Sequence, residues 1–350
     1  MTRVAQWATG TTGRLALRAI IDAPALQLVG VRVYDPDKVN LDAGTLAGCS
    51  ATGVLATDDN ARLVRTRPDV VLYMGAVENH PEECFDDVTN LLLAGIDVIA
   101  TGSSFIDVNA FDPARAKEID AACRRGGATF LGVGIFPGFW GEAVAPLLAR
   151  LSSGCSRITV RESLSYASYP SREMLVDVMG YGQPPQSTAP LLSDPARAGS
   201  AFIATANVLA RALNLKVVAA EPFRETAVTR SSLNVAAGEI AAGTVAAMKL
   251  GVRADCGPVT IVVEHVTWLD DEVVHEWSTG EGYEIEFDGA PTLRCNLVLG
   301  TSGEDRTEMG CLATAMHAVH AIEFVTAAPP GIVDLAETAS ITGGQAWPQR

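Results

Sequence analysis

Arg3-Val4-Ala5-Gln6-Trp7, Ala8-Thr9-Gly10-Thr11-Thr12-Gly13 and Arg14-Leu15-Ala16-Leu17-Arg18-Ala19-Ile20-Ile21 follow one another without a spare residue. A short apolar run, a glycine turn and a helical pattern in this order predict a strand, a loop and a helix that hold a pyrophosphate. Gly10 lets the backbone approach the phosphates, Gly13 lets the helix pack closely on the strand, and the free N–H groups of the helix start face the anion. The cradle expected from this stretch is Thr9, Gly10, Thr11, Thr12 and Gly13. Ala8 stands where the first glycine usually is, so the match is to a relaxed form of G-x-G-x-x-G, which alone says little.

The next segment adds to it. Leu26-Gln27-Leu28-Val29-Gly30-Val31-Arg32-Val33 reads as a second strand, and Asp35 stands just past its end, 22 residues beyond Gly13. A carboxylate about 20 residues after the glycine loop binds the adenosine ribose hydroxyls of a dinucleotide. The bland alternative is a glycine turn in some other α/β domain, with Asp35 solvated. Loop, flanking elements and acidic residue together favour the dinucleotide.

Bulk properties bound the rest. The 350 residues exceed one usual compact core, and 48% of them are apolar, as in an ordinary globular chain. A formal charge of −15 argues against nucleic acid or an anionic membrane as partner. No apolar run reaches the length of a membrane span, and Met1-Thr2-Arg3 leads straight into the first strand without a signal peptide. Seven scattered cysteines without C-x-x-C fit reduced thiols in a cytoplasmic protein and no zinc site.

Strand and helix patterns alternate through the first 150 residues: strands at 69–74, 97–100 and 128–131, helices at 80–94 and 113–125. Such alternation predicts a Rossmann-type, doubly wound parallel sheet with helices on both faces. Ligand then lies beyond the strand carboxyl ends, which puts Gly75, Ala76, Thr101 and Gly102 on the same edge as the phosphate loop. After Ser153 the pattern changes. Residues 157–166, 217–235, 259–268, 272–277, 283–287 and 293–300 are strand-rich, 194–213 is helical, and 236–252 is ambiguous. The expected second domain, 151–305, is α+β with a mostly antiparallel sheet. A helix over 306–327, stopped by Pro329-Pro330-Gly331, begins a segment (306–350) expected to return to the first domain (1–150).

Several groups are candidates for chemistry. Phe136, Phe139 and Trp140, in and after the turn Gly132-Val133-Gly134-Ile135-Phe136-Pro137-Gly138, form an aromatic wall for either a domain junction or an apolar substrate pocket. Tyr166 and Tyr169 follow the first strand of the second domain and present phenols that donate a proton or only orient a polar group. His317 and His320 share a helix face, without further ligands at metal spacing.

Residues 4–13, Pro36-Asp37-Lys38-Val39 with Asp42-Ala43-Gly44, 134–139, Ala241-Ala242-Gly243-Thr244-Val245-Ala246-Ala247, and Val319-His320-Ala321-Ile322 with Ala328-Pro329-Pro330-Gly331 together resemble one family. It is the dihydrodipicolinate reductase-like family containing 2,4-diaminopentanoate dehydrogenase and the native amine dehydrogenases. The resemblance covers nearly the whole chain. It implies a Rossmann domain joined to an α+β domain, a homodimer, and NAD(P)H as cofactor. Its amine dehydrogenases interconvert primary amines with ketones plus ammonia, using a glutamate just after the strand that here ends in Ala100-Thr101-Gly102. Ser103 takes that position, Phe136 replaces an asparagine of the family's G-x-N-P-G, and His320 replaces a C-terminal asparagine. Trp140, Tyr166 and Tyr169 match the family's pocket aromatics.

A serine hydroxyl cannot replace a carboxylate base. The expectation is therefore an NAD(P)-dependent oxidoreductase passing hydride between nicotinamide and a small apolar carbonyl or imine, with Ser103, Tyr166, Tyr169 or His320 orienting or protonating the heteroatom. The alternatives are an amine dehydrogenase whose acid/base comes from elsewhere, with Glu142 or Asp107 as candidates, and a dinucleotide sensor without catalysis. Asp35 favours NAD, whereas Lys38 and Arg32 favour NADP by offsetting its repulsion of a 2′-phosphate.

Overall fold

The computed structural model describes residues 1–193, 195–273, 277, 280–301 and 304–344. The chain divides into two compact units, Met1–Phe139 with Gly310–Arg350, and Trp140–Met309.

The first unit is built on a six-stranded parallel sheet, in the spatial order Gly331–Ile332, Thr129–Val133, Asp97–Thr101, Val70–Tyr73, Thr2–Trp7, Leu26–Arg32. Strands Val70–Tyr73 and Thr129–Val133 are buried along their whole length because both faces of the sheet are covered. Alternate residues Ala5, Trp7, Val71, Tyr73, Val98, Ala100 and Phe130 enter one core cluster with Phe85 and Phe105. Helices Pro81–Leu93 and Pro113–Gly126 supply apolar residues to that core. Helix Thr11–Asp22 places Leu17 in a second cluster with Val31 and Val33. Truncating a fully buried ring such as Phe105 in such a core costs about 3–5 kcal/mol.

The sequence run over 306–327 is two helices, Arg306–His320 and Ile322–Ala327. The interruption is a bend at Ala321, whose N–H still donates to His317 O and whose carbonyl still accepts from Val325 N. Pro329-Pro330-Gly331 ends the helix, as expected, but the chain then adds a strand. Gly331, at φ +150°, turns it into parallel pairing with Thr129. The Thr129 hydroxyl secures the approach by donating to Pro329 O at 3.2 Å.

The second unit carries a mixed, mostly antiparallel sheet: Leu293–Leu297, Gly282–Gly289, Cys155–Ser165, Thr260–Trp268, Val245–Asp255, Ala219–Val228. Only the central pair, Cys155–Ser165 with Thr260–Trp268, is parallel. Helix Pro195–Ala212 lies against this sheet; residue 194, where the sequence pattern begins it, is outside the described residues. The ambiguous region resolves into strands Gly238–Ile240 and Val245–Asp255. The strand expected over 272–277 is replaced at its start by a 3-10 turn, Asp271–Val273, because Asp270 accepts from Glu272 N and Asp271 from the Trp268 indole. Residues 274–276 lie outside the described ones.

Candidate functional site

Strand Thr2–Trp7 ends in the glycine loop, and each of its small residues has a distinct reason. Ala8, in the usual glycine position, adopts φ +69°, a left-handed conformation that costs an L-residue about 1–2 kcal/mol. The buried Gln6 side chain spans the turn by donating Nε2–H to Ala8 O at 3.0 Å. A Cβ at Gly13 would collide with that same Ala8 carbonyl, so only glycine lets helix Thr11–Asp22 start here. Gly10 differs: a Cβ there would meet no protein atom within 4 Å. No side chain caps the helix start, and its first amides have no partner within the helix. The open space at Gly10 in front of uncapped amides leaves room for a pyrophosphate, and the residues present fit that group.

Asp35 and Lys38 flank the loop. Asp35 Oδ1 accepts from Asp37 N at 3.0 Å and so fixes the turn Pro36–Lys38 at the end of the second strand. Lys38 Nζ reaches back to Thr9 O at 3.3 Å, which brings its charge to the phosphate loop. Arg32 is committed elsewhere: its guanidinium lies 4.0 Å from the centre of the Tyr34 ring and its Nε donates to Asn60.

Further along the same edge, Gly75 and Ala76 follow strand Val70–Tyr73, and Gly102 and Ser103 follow Asp97–Thr101. The structure joins these two loops through a residue that the sequence pattern did not single out. Glu78 Oε1 accepts from Ser103 N at 2.8 Å and from Ser103 Oγ at 3.2 Å. Gly102 has φ +123°, and a Cβ on it would run into Val77, so its glycine is what lets the loops close.

The turn after Thr129–Val133 is tightly built. A Cβ on Gly134 would strike Pro137 O, and one on Gly138 would strike the Gly134 backbone. Gly134 O accepts from Phe139 N at 2.8 Å and from His317 Nδ1 at 3.0 Å; a carbonyl only accepts, so Nδ1 carries the proton. The Phe139 ring meets His317 edge-on at 5.3 Å. Burial pushes the His317 pKa down, the Gly134 carbonyl opposes this, and nearby His320 adds to it. His320 Nδ1 has no hydrogen-bond partner among the described residues. It lines a cavity of about 450 Å³ with Glu323, Phe324, Ala327, Pro329 and Ile341.

In the second unit, Trp140 lies in the π-helical turn Phe139–Val144 and is buried, its ring 6.2 Å from Tyr283. Trp140 Nε1 has no hydrogen-bond partner among the described residues. The two carboxylates considered from sequence are both engaged. Glu142 is fully buried and accepts from Thr205 Oγ1 at 2.5 Å. Asp107, in the first unit, accepts from Ala110 N as the cap of Val108–Phe111.

Tyr166 and Tyr169 stack at 5.6 Å. Tyr166 Oη lies 3.4 Å from His265 Nε2, and His265 Nδ1 lies 2.8 Å from Glu162 Oε2, at an alignment outside that of a hydrogen bond. The parallel register of the two strands sets His265 opposite Glu162. Burial and, secondarily, the Glu162 charge push the Tyr166 pKa up, so Tyr166 keeps its proton at neutral pH. A cavity of about 620 Å³ lined by Thr226, Arg230, Asp270, Glu272 and Trp277 includes none of the candidate residues. No group of three or more His, Cys, Asp or Glu among the described residues could hold a metal ion, and all seven cysteines are free. Among the described residues, no helix is long and apolar enough to cross a membrane.

The fold and its glycine loop suit a dinucleotide, and comparison with known proteins shows an NAD(P)-dependent oxidoreductase. The chain is 30% identical over 342 residues to an amine dehydrogenase from Streptomyces virginiae, covering 94% of this chain and 93% of that one. It therefore belongs to the amine dehydrogenase family. The solved structure of the amine dehydrogenase from Mycobacterium smegmatis superposes with a TM-score of 0.76 at 19% identity, over 96% of this chain and 95% of that one. Likeness to a 4-hydroxy-tetrahydrodipicolinate reductase from Rippkaea orientalis is confined to 94 residues, 27% of this chain and 34% of the other, at 29% identity. No family model matches the sequence.

Proposed function

We propose that this oxidoreductase interconverts a small, mostly apolar primary amine with the corresponding ketone and ammonia. The observation that carries the proposal is the whole-length relationship to an amine dehydrogenase in a chain whose Gly10 leaves space at an uncapped helix start. Thr9, Gly10, Thr11, Thr12 and Gly13 would hold the pyrophosphate, Asp35 and Lys38 the adenosine ribose, and Gly75, Ala76, Thr101 and Gly102 the remainder of the edge. Asp35 favours NAD by repelling a 2′-phosphate. When bound, the nicotinamide supplies the hydride donor or acceptor.

The chain's own groups supply binding and proton handling. Phe136 and Phe139 give the turn after the fifth strand of the chain an apolar surface suited to an alkyl group. Tyr166 is a candidate to orient the heteroatom, its hydroxyl 3.4 Å from His265 Nε2. Tyr169, stacked on Tyr166, would hold that phenol in place.

Ser103 at the family's glutamate position favours a second reading, reduction of a ketone or preformed imine without ammonia. One assay separates the two: NADH or NADPH oxidation with cyclohexanone, with and without ammonium. Dependence on ammonium supports the amine reaction; equal rates without it support the second.

A further inference from the structure

We propose that Glu78 is the carboxylate that takes and returns the substrate's proton, and that Ser103 positions it. This rests on the amine dehydrogenase reading above and names the acid/base that the residue at 103 cannot itself supply. Glu78 follows strand Val70–Tyr73, which lies between Thr2–Trp7, bearing the phosphate loop, and Asp97–Thr101, bearing Ser103. Asp35 is on the opposite side of the loop, beyond strand Leu26–Arg32. A dinucleotide with its adenosine at Asp35 and its phosphates at Gly10 would have its other end on the side of the loops that bear Glu78 and Ser103.

The contact is built rather than incidental. Ser103 donates twice, from N–H and Oγ, to one oxygen of Glu78, while Gly102 lacks the Cβ that would hold the two loops apart. Among the described residues Glu78 Oε2 has no hydrogen-bond partner and no lysine or arginine pairs with the carboxylate. It is an exposed anion with one oxygen anchored and the other available to an ammonium group. The other carboxylates considered are spent: Asp107 as a helix cap and Glu142 on Thr205.

The step is a proton transfer. In the amine-oxidising direction an N–H bond of the substrate ammonium breaks, its electron pair stays on nitrogen, and the proton forms an O–H bond at Glu78 Oε2. The products are a neutral amine, able to release hydride from its carbon, and a neutral carboxyl. In the aminating direction the same proton returns to nitrogen. The sequence conceals this arrangement because Glu78 and Ser103 are 25 residues apart and meet only through the pairing of adjacent strands.

The test compares wild type with E78Q, E78D and S103A. E78Q is expected to lower ammonium-dependent turnover of cyclohexanone about 10²–10⁴-fold with NADH binding, read by fluorescence, unchanged; E78D recovers part of the rate. S103A removes the hydroxyl donor to Glu78 but keeps the backbone N–H, and is expected to lower the ammonium-dependent rate less than E78Q does. A readout independent of turnover is the titration of the Glu78 carboxyl carbon by ¹³C NMR, assigned by its loss in E78Q. NAD⁺ carries a positive ring charge that NADH lacks, so if the nicotinamide lies beside Glu78 the carboxylate is expected to bind its proton about tenfold less tightly in the NAD⁺ complex. Equal titration in the two complexes, or wild-type turnover by E78Q, overturns the assignment. The tenfold difference without any ammonium-dependent turnover supports the place of Glu78 and overturns the amine reading. Ammonium-dependent turnover that is indifferent to E78Q keeps that reading and removes Glu78 from it.

Discussion

Gly13 is pressed against the carbonyl of Ala8 so closely that no side chain fits between them, whereas Gly10, in the same loop, faces open space. The two glycines therefore do different things. Gly13→Ala is expected to strain the strand–helix junction and destabilise the fold by about 1–3 kcal/mol, seen in thermal unfolding. Gly10→Val, at a φ of −68° that any residue adopts, should leave unfolding nearly unchanged and abolish NADH and NADPH binding by fluorescence titration. Retained cofactor binding in Gly10→Val would show that the phosphates lie elsewhere.

Cofactor choice turns on Asp35. Asp35→Ser keeps a side-chain oxygen able to accept from Asp37 N, so the turn Pro36–Lys38 should persist while the negative charge goes. The ratio of NADP to NAD affinity is expected to rise about tenfold, a change of about 1.4 kcal/mol. Isothermal titration with both cofactors measures it, and an unmoved ratio removes Asp35 from the ribose.

Two partly buried groups give stability opposite slopes with pH. Burial pushes the Asp97 carboxyl up to about 6, with the Thr129 N–H opposing and Asp69 adding to it. Its folded value lies above the unfolded one, so its contribution grows as pH falls through about 6 and is complete below the ordinary carboxylate value. His317 has its pKa lowered, so the stability it confers is present above about 6.5 and is lost as pH falls toward the folded value. Asp97→Asn keeps an acceptor for Thr129 N and removes the first slope. The variant should be more stable than wild type near neutral pH and should lose stability more steeply between about pH 7 and pH 5. Thermal unfolding across that range checks it; parallel curves would contradict it.

The parallel half of the molecule was legible because strand, loop and helix alternate with little between them, and because Gly10, Gly13 and Asp35 keep the spacing of a dinucleotide fold. Ala8 weakened the motif by sequence, yet its backbone is left-handed, the conformation for which glycine is usual there. Less legible were features set by partners distant in sequence. Gly331–Ile332 forms a strand only because Thr129–Phe130 offers an edge to it. Residues 236–252 have no clear period because strand Val245–Asp255 is buried along most of its length, on both faces. His317 and His320 looked equivalent on one helix face, but only His317 meets the turn at Gly134. Glu78 carries no motif at all; its meeting with Ser103 is a product of strand order.

An NAD(P)-dependent reaction at a carbon–nitrogen bond is read most directly from the rate of NADH and NADPH oxidation by the purified protein with cyclohexanone as ammonium is varied. The rate should rise with ammonium and saturate, stay near zero without it, and disappear in Gly10→Val. A rate independent of ammonium, or none at any ammonium concentration despite tight cofactor binding, would contradict it.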